Sequence, residues 1–447
     1  MIPSRPITRR GALKLATAAT ALPLVHIRTA GAAGKLSVGL WDHWVPGANA
    51  VMQKQVEAWA AKEKVDATVD FITSTGFKIN LTAAAEFQAR SGHDIMQIYN
   101  WDVGSYTDRL EPADDVIKNL TGMYGPYDAI SEYLAKSDGH WWAVPNSTGT
   151  LNLTMCGRIS MLKQHAGLDI QAMYPAAPTD GSAAAAWNYD AFLKAAEACH
   201  KAGFPFGLGL GSSADSVNNT GIIYAAFGAE LVNAKGEITV DSPNVRAMLE
   251  YCQKLVKALP ADTVSYDDAS NNRALISGKS ALIMNPPSAW AVAKRDAPQI
   301  AADTWHFSCP AGPKGRYVPY NYAFLGTWSF GKNKAAAKSL VQYLQERPQV
   351  EARCVASDGY DLPPLSSMND FKVWENVEPP KGTVYNYPIR PWHKAQPSIT
   401  AYPAPREIAV QMYNRAIHPT MLAKLHSGQS VDDAISWARN ELEGFVR

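Results

Sequence analysis

Aromatic and acidic residues stand side by side at the ends of two predicted strands. Trp41 is followed by Asp42, and Asn100 is followed by Trp101 and Asp102. An aromatic face can stack on the apolar C–H side of a sugar ring, while carboxylate and amide oxygens accept hydrogen bonds from its hydroxyl groups. These five residues are therefore candidate ligand-binding residues for a polar small molecule.

Four more candidates come from later parts of the chain. Asn146 can add amide contacts, Trp290 follows a predicted strand at 281–284, Tyr320 precedes a strand predicted to begin at Tyr322, and Tyr360 is a further aromatic. For every tryptophan among the candidates the alternative is a packing role, because indole rings are largely buried in most proteins.

Alternating strands and helices position the first candidates. The pattern predicts strands at 35–40, 66–73 and 94–99, with helices at 48–64 and 77–89 between them. This order and spacing predict an α/β fold with a parallel sheet and covering helices. Ligands of open α/β sheets bind outside the carboxyl ends of the strands, which is where Trp41 and Trp101 stand.

The second half of the chain mixes helices with short strands. Helices are predicted at 189–203 and 334–344, and Asp241-Ser242-Pro243 is typical of a helix start. The tail from 406 to 446 is predicted to be helical, with interruptions at Pro419 and Gly428.

A glycine-rich segment, Gly207-x-Gly209-x-Gly211, can suggest a phosphate cradle. It lacks the spacing of a dinucleotide-binding fingerprint, and no Walker lysine follows it. We therefore predict close backbone packing or a loop at a cleft. Motifs of metalloproteases and serine hydrolases are absent from the sequence, and we expect no cofactor.

The first 33 residues have the pattern of an export signal. Arg9-Arg10 precede an apolar stretch from 15 to 27, and small residues follow at 30–33. The paired arginines favour the twin-arginine type, and the alternative is a basic tail. The sequence therefore predicts a periplasmic protein.

Charge and cysteine content argue against two further classes, nucleic-acid binders and cysteine-based metal proteins. The whole chain of 447 residues has a formal charge of +1, and residues 34–447 alone carry 37 basic and 41 acidic side chains. That balance argues against a nucleic-acid binder, which needs a concentrated basic face. The five cysteines are scattered without a C-x-x-C pair, which predicts buried thiols rather than a metal site.

Five segments in order carry a family resemblance. They are L-E-P-A-D-D at 110–115, D-G-H-W-W-A-V-P at 138–145, W-N-Y-D-A-F at 187–192, I-S-G-K-S-A-L at 276–282 and P-A-G-P-K-G at 310–315. With them the chain resembles the family 1 extracellular solute-binding proteins of bacterial ABC importers, a group that includes maltose-binding-like receptors.

The resemblance implies a two-lobed periplasmic-binding-protein type II fold with a hinge and a ligand cleft between the lobes. Lobe one would hold residues 34–145 and about 326–360, and lobe two 150–320 and about 361–447, with hinges near 146–152 and 320–328. Such a receptor acts as a monomer, closes around its ligand and delivers it to the permease subunits in the membrane.

The resemblance implies a neutral sugar, oligosaccharide or polyol as ligand, and no enzymatic activity. Arg390 keeps open a charged solute in the same fold, such as a sugar phosphate, polyamine or organic acid. A secreted carbohydrate-active enzyme is the second alternative, since Asp42 and Asp102 can supply the two carboxylates about 5 Å apart that retaining hydrolysis uses. A scaffold without a ligand is the third.

Overall fold

The computed structural model describes residues 34–388 and 395–446, so the predicted export signal and Arg390 lie outside the described residues. The strands are β1 Lys35–Trp41, β2 Asp66–Ile72, β3 Ile95–Tyr99, β4 Lys136–Ser137, β5 His140–Trp141, β6 Val144–Asn152, β7 Met155–Arg158, β8 Leu282–Met284, β9 Thr304–Phe307, β10 Ala311–Gly312, β11 Gly315–Thr327 and β12 Ala395–Ser398.

Helices cover most of the remaining chain. The α-helices are α1 Ala48–Glu63, α2 Lys78–Ala89, α3 Asp102–Ser105, α4 Asp114–Tyr124, α5 Ala129–Ala135, α6 Ile159–Ala166, α7 Ile170–Met173, α8 Tyr189–Lys201, α9 Ala214–Phe227, α10 Pro243–Leu255, α11 Ser270–Ile276, α12 Ser288–Asp296, α13 Pro298–Ala302, α14 Lys334–Leu344, α15 Arg347–Ala356, α16 Val373–Asn376, α17 Arg406–Asn414, α18 Ile417–His426 and α19 Val431–Glu443. The 3₁₀ helices are Thr75–Phe77, Thr107–Arg109, Ala183–Ala186, Val256–Ala258, Thr263–Ser265 and Ser366–Met368. Across the described ranges, no helix combines the length and apolarity that a membrane span requires.

The first sheet begins with the parallel strands that the sequence predicted. β1 pairs in parallel with β2 on one side and with β3 on the other. Its side chains Leu36, Val38 and Leu40 are buried beneath the covering helices. Because the three strands run the same way, their carboxyl ends meet at one edge of the sheet.

A long strand, β11, makes this sheet mixed. It runs antiparallel to β3, with Ala323 opposite Tyr99, and antiparallel to β6, with Tyr320 opposite Asn152. The register with β6 shifts between Asn321 and Ala323. These two strands occupy the ranges in which the resemblance implied the hinges.

A second, smaller sheet follows directly from β6. β7 pairs antiparallel with β8 and with β9. The helices α6, α7 and α11 contact its strands, while α9 packs against β11 of the first sheet. The two sheets are therefore linked through β6, β7, β11 and α9.

The helix-start signal at 241–243 is confirmed, since Ser242 Oγ accepts a hydrogen bond from the Val245 amide at 3.4 Å. The predicted interruption at Pro419 is wrong. The break lies at Ala416, whose φ is 51°, and Pro419 sits in the first turn of α18. Proline fits there because the amides of a first helical turn have no partner within the helix.

The segment 365–370, predicted to lie in lobe two, contacts residues of the first sheet's side. Leu365 forms a β-bridge with Tyr127, and Arg347 forms an ion pair with Asp370 at 2.6 Å. These contacts associate the segment 365–370 with α4 and α15. The boundary between the lobes after residue 360 therefore stays a prediction.

The five cysteines are buried and free, as the sequence predicted. Burial raises the pKa of the Cys199 thiol to about 11 and raises the pKa of the other four as well. Thiolate chemistry at these positions is therefore disfavoured.

Candidate functional site

A cavity of about 630 Å³, including the space at its mouth, lies at the carboxyl ends of β1 and β3. Its other wall comes from the amino end of α9 and from the end of α17. Seven aromatic side chains among the described residues line it: Trp41, Trp44, Phe77, Tyr99, Trp101, Tyr360 and Tyr413.

The turn after β3 is fastened to the crossing strand β11. Asn100 adopts a φ of 42°, a left-handed conformation that asparagine tolerates better than most residues. Its Nδ2 donates to Asn321 Oδ1 at 2.6 Å, and the Tyr322 amide donates to Asn100 Oδ1 at 2.7 Å. These bonds place Trp101 and Asp102 at the cavity wall.

The two tryptophans of the strand ends are held by their indole nitrogens. Trp101 Nε1 donates to the Thr400 carbonyl oxygen at 2.9 Å, and Trp41 Nε1 donates to Ser74 Oγ at 3.2 Å. The Trp41 ring lies 5.7 Å from the Tyr360 ring, measured between centroids. Fixed rings of this kind offer stacking surfaces at low entropic cost.

Tyr360 is positioned by a buried polar cluster behind it. Asp361 Oδ1 accepts a hydrogen bond from the Gly149 amide at 2.9 Å and lies 3.2 Å from His43 Nε2. The His43 ring in turn contacts the rings of Trp41 and Tyr360 at 4.5 and 4.7 Å. The cluster therefore joins the end of β1, the strand β6 and the turn that carries Tyr360.

Three carboxylates, Asp102, Asp215 and Asp268, line the cavity. Burial raises the pKa of Asp102, although hydrogen bonds from Asn80 and Asn414 oppose the shift. Burial also raises the pKa of Asp215 well above its usual range, and the neighbouring Asp268 charge adds to that shift. Ionisation of Asp102 and Asp215 is thus disfavoured as long as no cation lies beside them.

The partners of the three carboxylates are neutral groups. Asn80 Nδ2 donates to Asp102 Oδ2 at 2.9 Å, and Asn271 Nδ2 donates to Asp215 Oδ2 at 2.8 Å. Asp268 Oδ1 accepts from the Asp215 amide at 3.1 Å, in the first turn of α9. Lysine, arginine and histidine do not occur among the described residues that line the cavity. Nor do ranges 34–388 and 395–446 contain a cluster of side chains able to hold a metal ion.

Five of the candidates from the sequence line this cavity: Trp41, Asn100, Trp101, Asp102 and Tyr360. Asp42, the residue that follows β1, does not line it. It is exposed and accepts a hydrogen bond from Asn49 Nδ2 at 2.7 Å.

The other three candidates are engaged in packing. Asn146 is buried, where its amide accepts from Gln345 Nε2 at 2.9 Å. Trp290 is fully buried, and its Nε1 donates to the Pro379 carbonyl oxygen at 2.7 Å. Tyr320 stacks on Tyr322 with centroids 5.4 Å apart. Their contacts with the surrounding chain place all three outside the cavity lining.

Sequence reasoning missed the wall formed by Asp215, Asp268 and Tyr413. The one feature of the sequence that indicated this wall was the glycine-rich segment just before Asp215. We predicted close backbone packing or a loop at a cleft for that segment. A Cβ at Gly211 would collide with the Tyr266 carbonyl oxygen, so close packing is confirmed. The segment thereby brings the amino end of α9 to the loop that carries Asp268.

The Asp215→Asn substitution should stabilise the ligand-free protein at neutral pH. The folded-state pKa of Asp215 is raised, so its contribution to stability is complete below the unfolded carboxyl pKa of about 3.9 and is lost as pH rises. Asparagine cannot ionise and keeps a partner for Asn271. Because each kcal/mol moves Tm by about 2–4 °C in a domain of this kind, calorimetry resolves the gain.

The melting temperature of the variant should exceed that of the wild type at pH 7 and approach it at pH 4. Asp190→Asn is the matched control, since Asp190 is exposed in the first turn of α8 and the charge change is the same. A variant that melts below the wild type at pH 7, with the control unchanged, would contradict the prediction.

Comparison with known proteins identifies the class. The family model described as bacterial extracellular solute-binding protein matches residues 55–380. The chain belongs to this family, which confirms the resemblance found in the sequence. A search of curated proteins found no match.

Solved structures of similar fold cover nearly the whole chain. Maltose-bound MalE3 of T. maritima has 19% identity and a TM-score of 0.71, covering 92% of this chain and 99% of its own. A sugar transporter of Arthrobacter chlorophenolicus A6 with bound laminaribiose has 17% identity and a TM-score of 0.70, covering 93% and 100%. A chitin oligosaccharide binding protein has 15% identity and a TM-score of 0.71, covering 92% and 98%. The chain therefore has the two-lobed α/β fold of solute-binding proteins.

Proposed function

We propose that the protein is the exported substrate-binding component of an ABC importer and that it captures a saccharide or polyol in the cavity at the ends of β1 and β3. The observation that carries the proposal is the lining: seven aromatic rings together with carboxylate and amide groups. Aromatic faces and acceptor oxygens are the two chemistries that a sugar ring requires. The relatives of the same fold that were solved with maltose and with laminaribiose support this assignment.

Residues from both sides of the crossing strands line the cavity. Trp41 and Trp101 come from the first sheet, and Asp215 and Asp268 come from the side of the second. We propose that β6 and β11 act as the hinge and that ligand contacts on both sides favour the closed form. The closed form would then be the one that the permease subunits recognise, with the receptor acting as a monomer.

An anionic ligand fits the cavity poorly. The lining has three carboxylates and, in the described residues, no basic side chain. A phosphate or organic acid would lie beside three carboxyl groups without a compensating arginine. The lining therefore favours a saccharide over a sugar phosphate or an organic acid.

Hydrolysis by Asp42 and Asp102 also fits poorly, since Asp42 is exposed and bonded to Asn49. We propose that the ligand is bound and released unchanged. Incubating the protein with any bound oligosaccharide and measuring its mass tests this point, and a cleaved product would contradict it.

The export part of the proposal rests on residues 1–33 and on membership of an extracellular family. Expression with and without this segment, followed by cell fractionation, tests it. The protein should reach the periplasm only with residues 1–33 present, and replacing Arg9-Arg10 with lysines should block export.

Titration of the purified protein with a saccharide panel tests the ligand class. Maltose, laminaribiose, chitin disaccharide, glucose and a polyol such as mannitol are added while tryptophan fluorescence and heat are recorded. At least one should quench or shift the emission, because Trp41 and Trp101 line the cavity. If none of a broad carbohydrate panel gives heat or a fluorescence change, the saccharide assignment is wrong.

A further inference from the structure

The ligand cavity is lined by three acidic side chains and, among the described residues, by no basic side chain. Asp102 lies at the start of α3, while Asp215 and Asp268 lie at the start of α9 and in the loop before α11. Asp102 and Asp268 are buried, with exposed fractions of 7% and 9%. Each carboxylate is bonded only to neutral groups in its described hydrogen bonds.

Arg273, in the helix α11 that follows this loop, is already engaged. Arg273 Nη2 donates to Asp267 Oδ1 at 2.9 Å and to Ser270 Oγ at 2.8 Å. Asp267 is the exposed neighbour of Asp268 and does not line the cavity. Arg273 thus pairs with an acid outside the cavity.

Buried carboxylates without a cation are costly, because desolvation of each ion is not repaid by an opposite charge. Hydroxyl groups can hydrogen-bond to such carboxylates but do not neutralise them. A ligand cation does both, and an ammonium group offers three N–H donors to groups that only accept. The surrounding aromatic rings also attract a cation through their negative faces.

We propose that the ligand carries a protonated amine, as an amino sugar does, and that Asp215 and Asp268 receive the ammonium group while the aromatic rings hold the sugar ring. The inference rests on the proposed function for its saccharide part and departs from the neutral ligand predicted from the sequence. Asp102, on the facing wall, accepts hydrogen bonds from hydroxyl groups of the same ligand.

Three matched sets of probes separate charge from shape. The first set is D-glucosamine, N-acetyl-D-glucosamine and D-glucose. The second is D-galactosamine, N-acetyl-D-galactosamine and D-galactose. The third is chitosan disaccharide, chitin disaccharide and cellobiose. Within each set the ring is constant and only the amine carries charge. Calorimetric titration of the purified protein, freed of bound ligand by unfolding and refolding, gives the affinities.

In at least one set, the amine should bind about tenfold or more tightly than both neutral members, as expected for hydrogen bonds to a charged group. The advantage should shrink when salt is raised, because screening weakens the charge term. Asp215→Asn should reduce the affinity for the amine at least about tenfold more than it reduces the affinity for the neutral members. Asp190→Asn, with the same charge change on an exposed helix start, should leave the preference intact.

The outcomes separate this inference from the proposed function. Neutral members that bind as tightly as the amines would overturn the amine assignment and leave the saccharide receptor standing. Equal weakening of all members by Asp215→Asn, in a variant that melts no lower than the wild type, would also overturn it, because Asp215 would then contact hydroxyl groups. Binding of spermidine but of no sugar would support the cation and overturn the saccharide, and no binding by any probe would overturn both.

Discussion

Replacing Trp101 with alanine should cost about 3–5 kcal/mol of stability and remove measurable ligand binding. Trp101 is 2% exposed, its ring meets the Tyr133 ring at 5.8 Å, and it also lines the cavity. The substitution leaves a void between these contacts and deprives the Thr400 carbonyl oxygen of its donor. Urea denaturation and saccharide titration measure the two effects.

Trp187 provides the matched control for the Trp101 prediction. Its indole is fully buried, and its Nε1 donates to the Ser308 carbonyl oxygen at 3.0 Å, but it does not line the cavity. Trp187→Ala should lose comparable stability and, at temperatures where it is folded, retain the wild-type affinity. Equal loss of affinity in both variants would show that Trp101 affects binding only through stability.

A third variant separates the ring from its hydrogen bond. Trp101→Phe keeps an aromatic face but loses the donor to Thr400, so it should cost about 1–3 kcal/mol because a buried acceptor is left without its partner. Ligand affinity should fall much less than in the alanine variant. The comparison assigns the binding effect to the aromatic face.

The first sheet could be predicted because its pattern is local. A buried strand, an amphipathic helix and the next strand follow one another at 35–99, and each has a period that marks its type. The carboxyl-edge rule then placed Trp101 and Asp102 at the site without knowledge of the rest of the chain. The same rule also selected Asp42, which lies outside the cavity lining, exposed and hydrogen-bonded to Asn49.

The facing wall could not be predicted because it depends on long-range packing. Asp215 looks like an ordinary acid in a first helical turn, and Asp268 lies 53 residues later in a loop. They meet only because Gly209 and Gly211 let α9 approach that loop closely. Each residue alone has a common structural explanation, so their shared position required the folded chain.

Trp290 shows that a tryptophan after a strand does not have to line the cavity. Its position after a strand resembles that of Trp101, yet its indole is bonded to Pro379, 89 residues away, and Lys294 lies 4.3 Å from the ring centroid. A tryptophan at a strand end can therefore face a cavity or a distant segment of chain. Composition and spacing do not distinguish the two, because the partner is set by tertiary structure.

Gly149→Ala should destabilise the protein by about 2–5 kcal/mol, combining backbone strain with overpacking. Gly149 lies within β6 with a φ of 85°, where a side chain is unfavourable. An added Cβ would also stand 2.6 Å from Tyr99 Oη and 2.7 Å from Gln97 Nε2. Because Tyr99 lines the cavity, its displacement should also lower saccharide affinity.

Gly139→Ala isolates the backbone part of this effect. Gly139 has a φ of 82°, and a Cβ there would meet nothing within 4 Å, so only the conformational cost of about 1–2 kcal/mol applies. The difference between the two variants in urea denaturation then measures the collision with Tyr99 and Gln97. Because Gly139 does not line the cavity, its variant should bind like the wild type. The prediction would be contradicted if Gly149→Ala were no more destabilising than Gly139→Ala and bound ligand normally. In that case β6 would have room for a Cβ at position 149, and the position of Tyr99 would not depend on a glycine there.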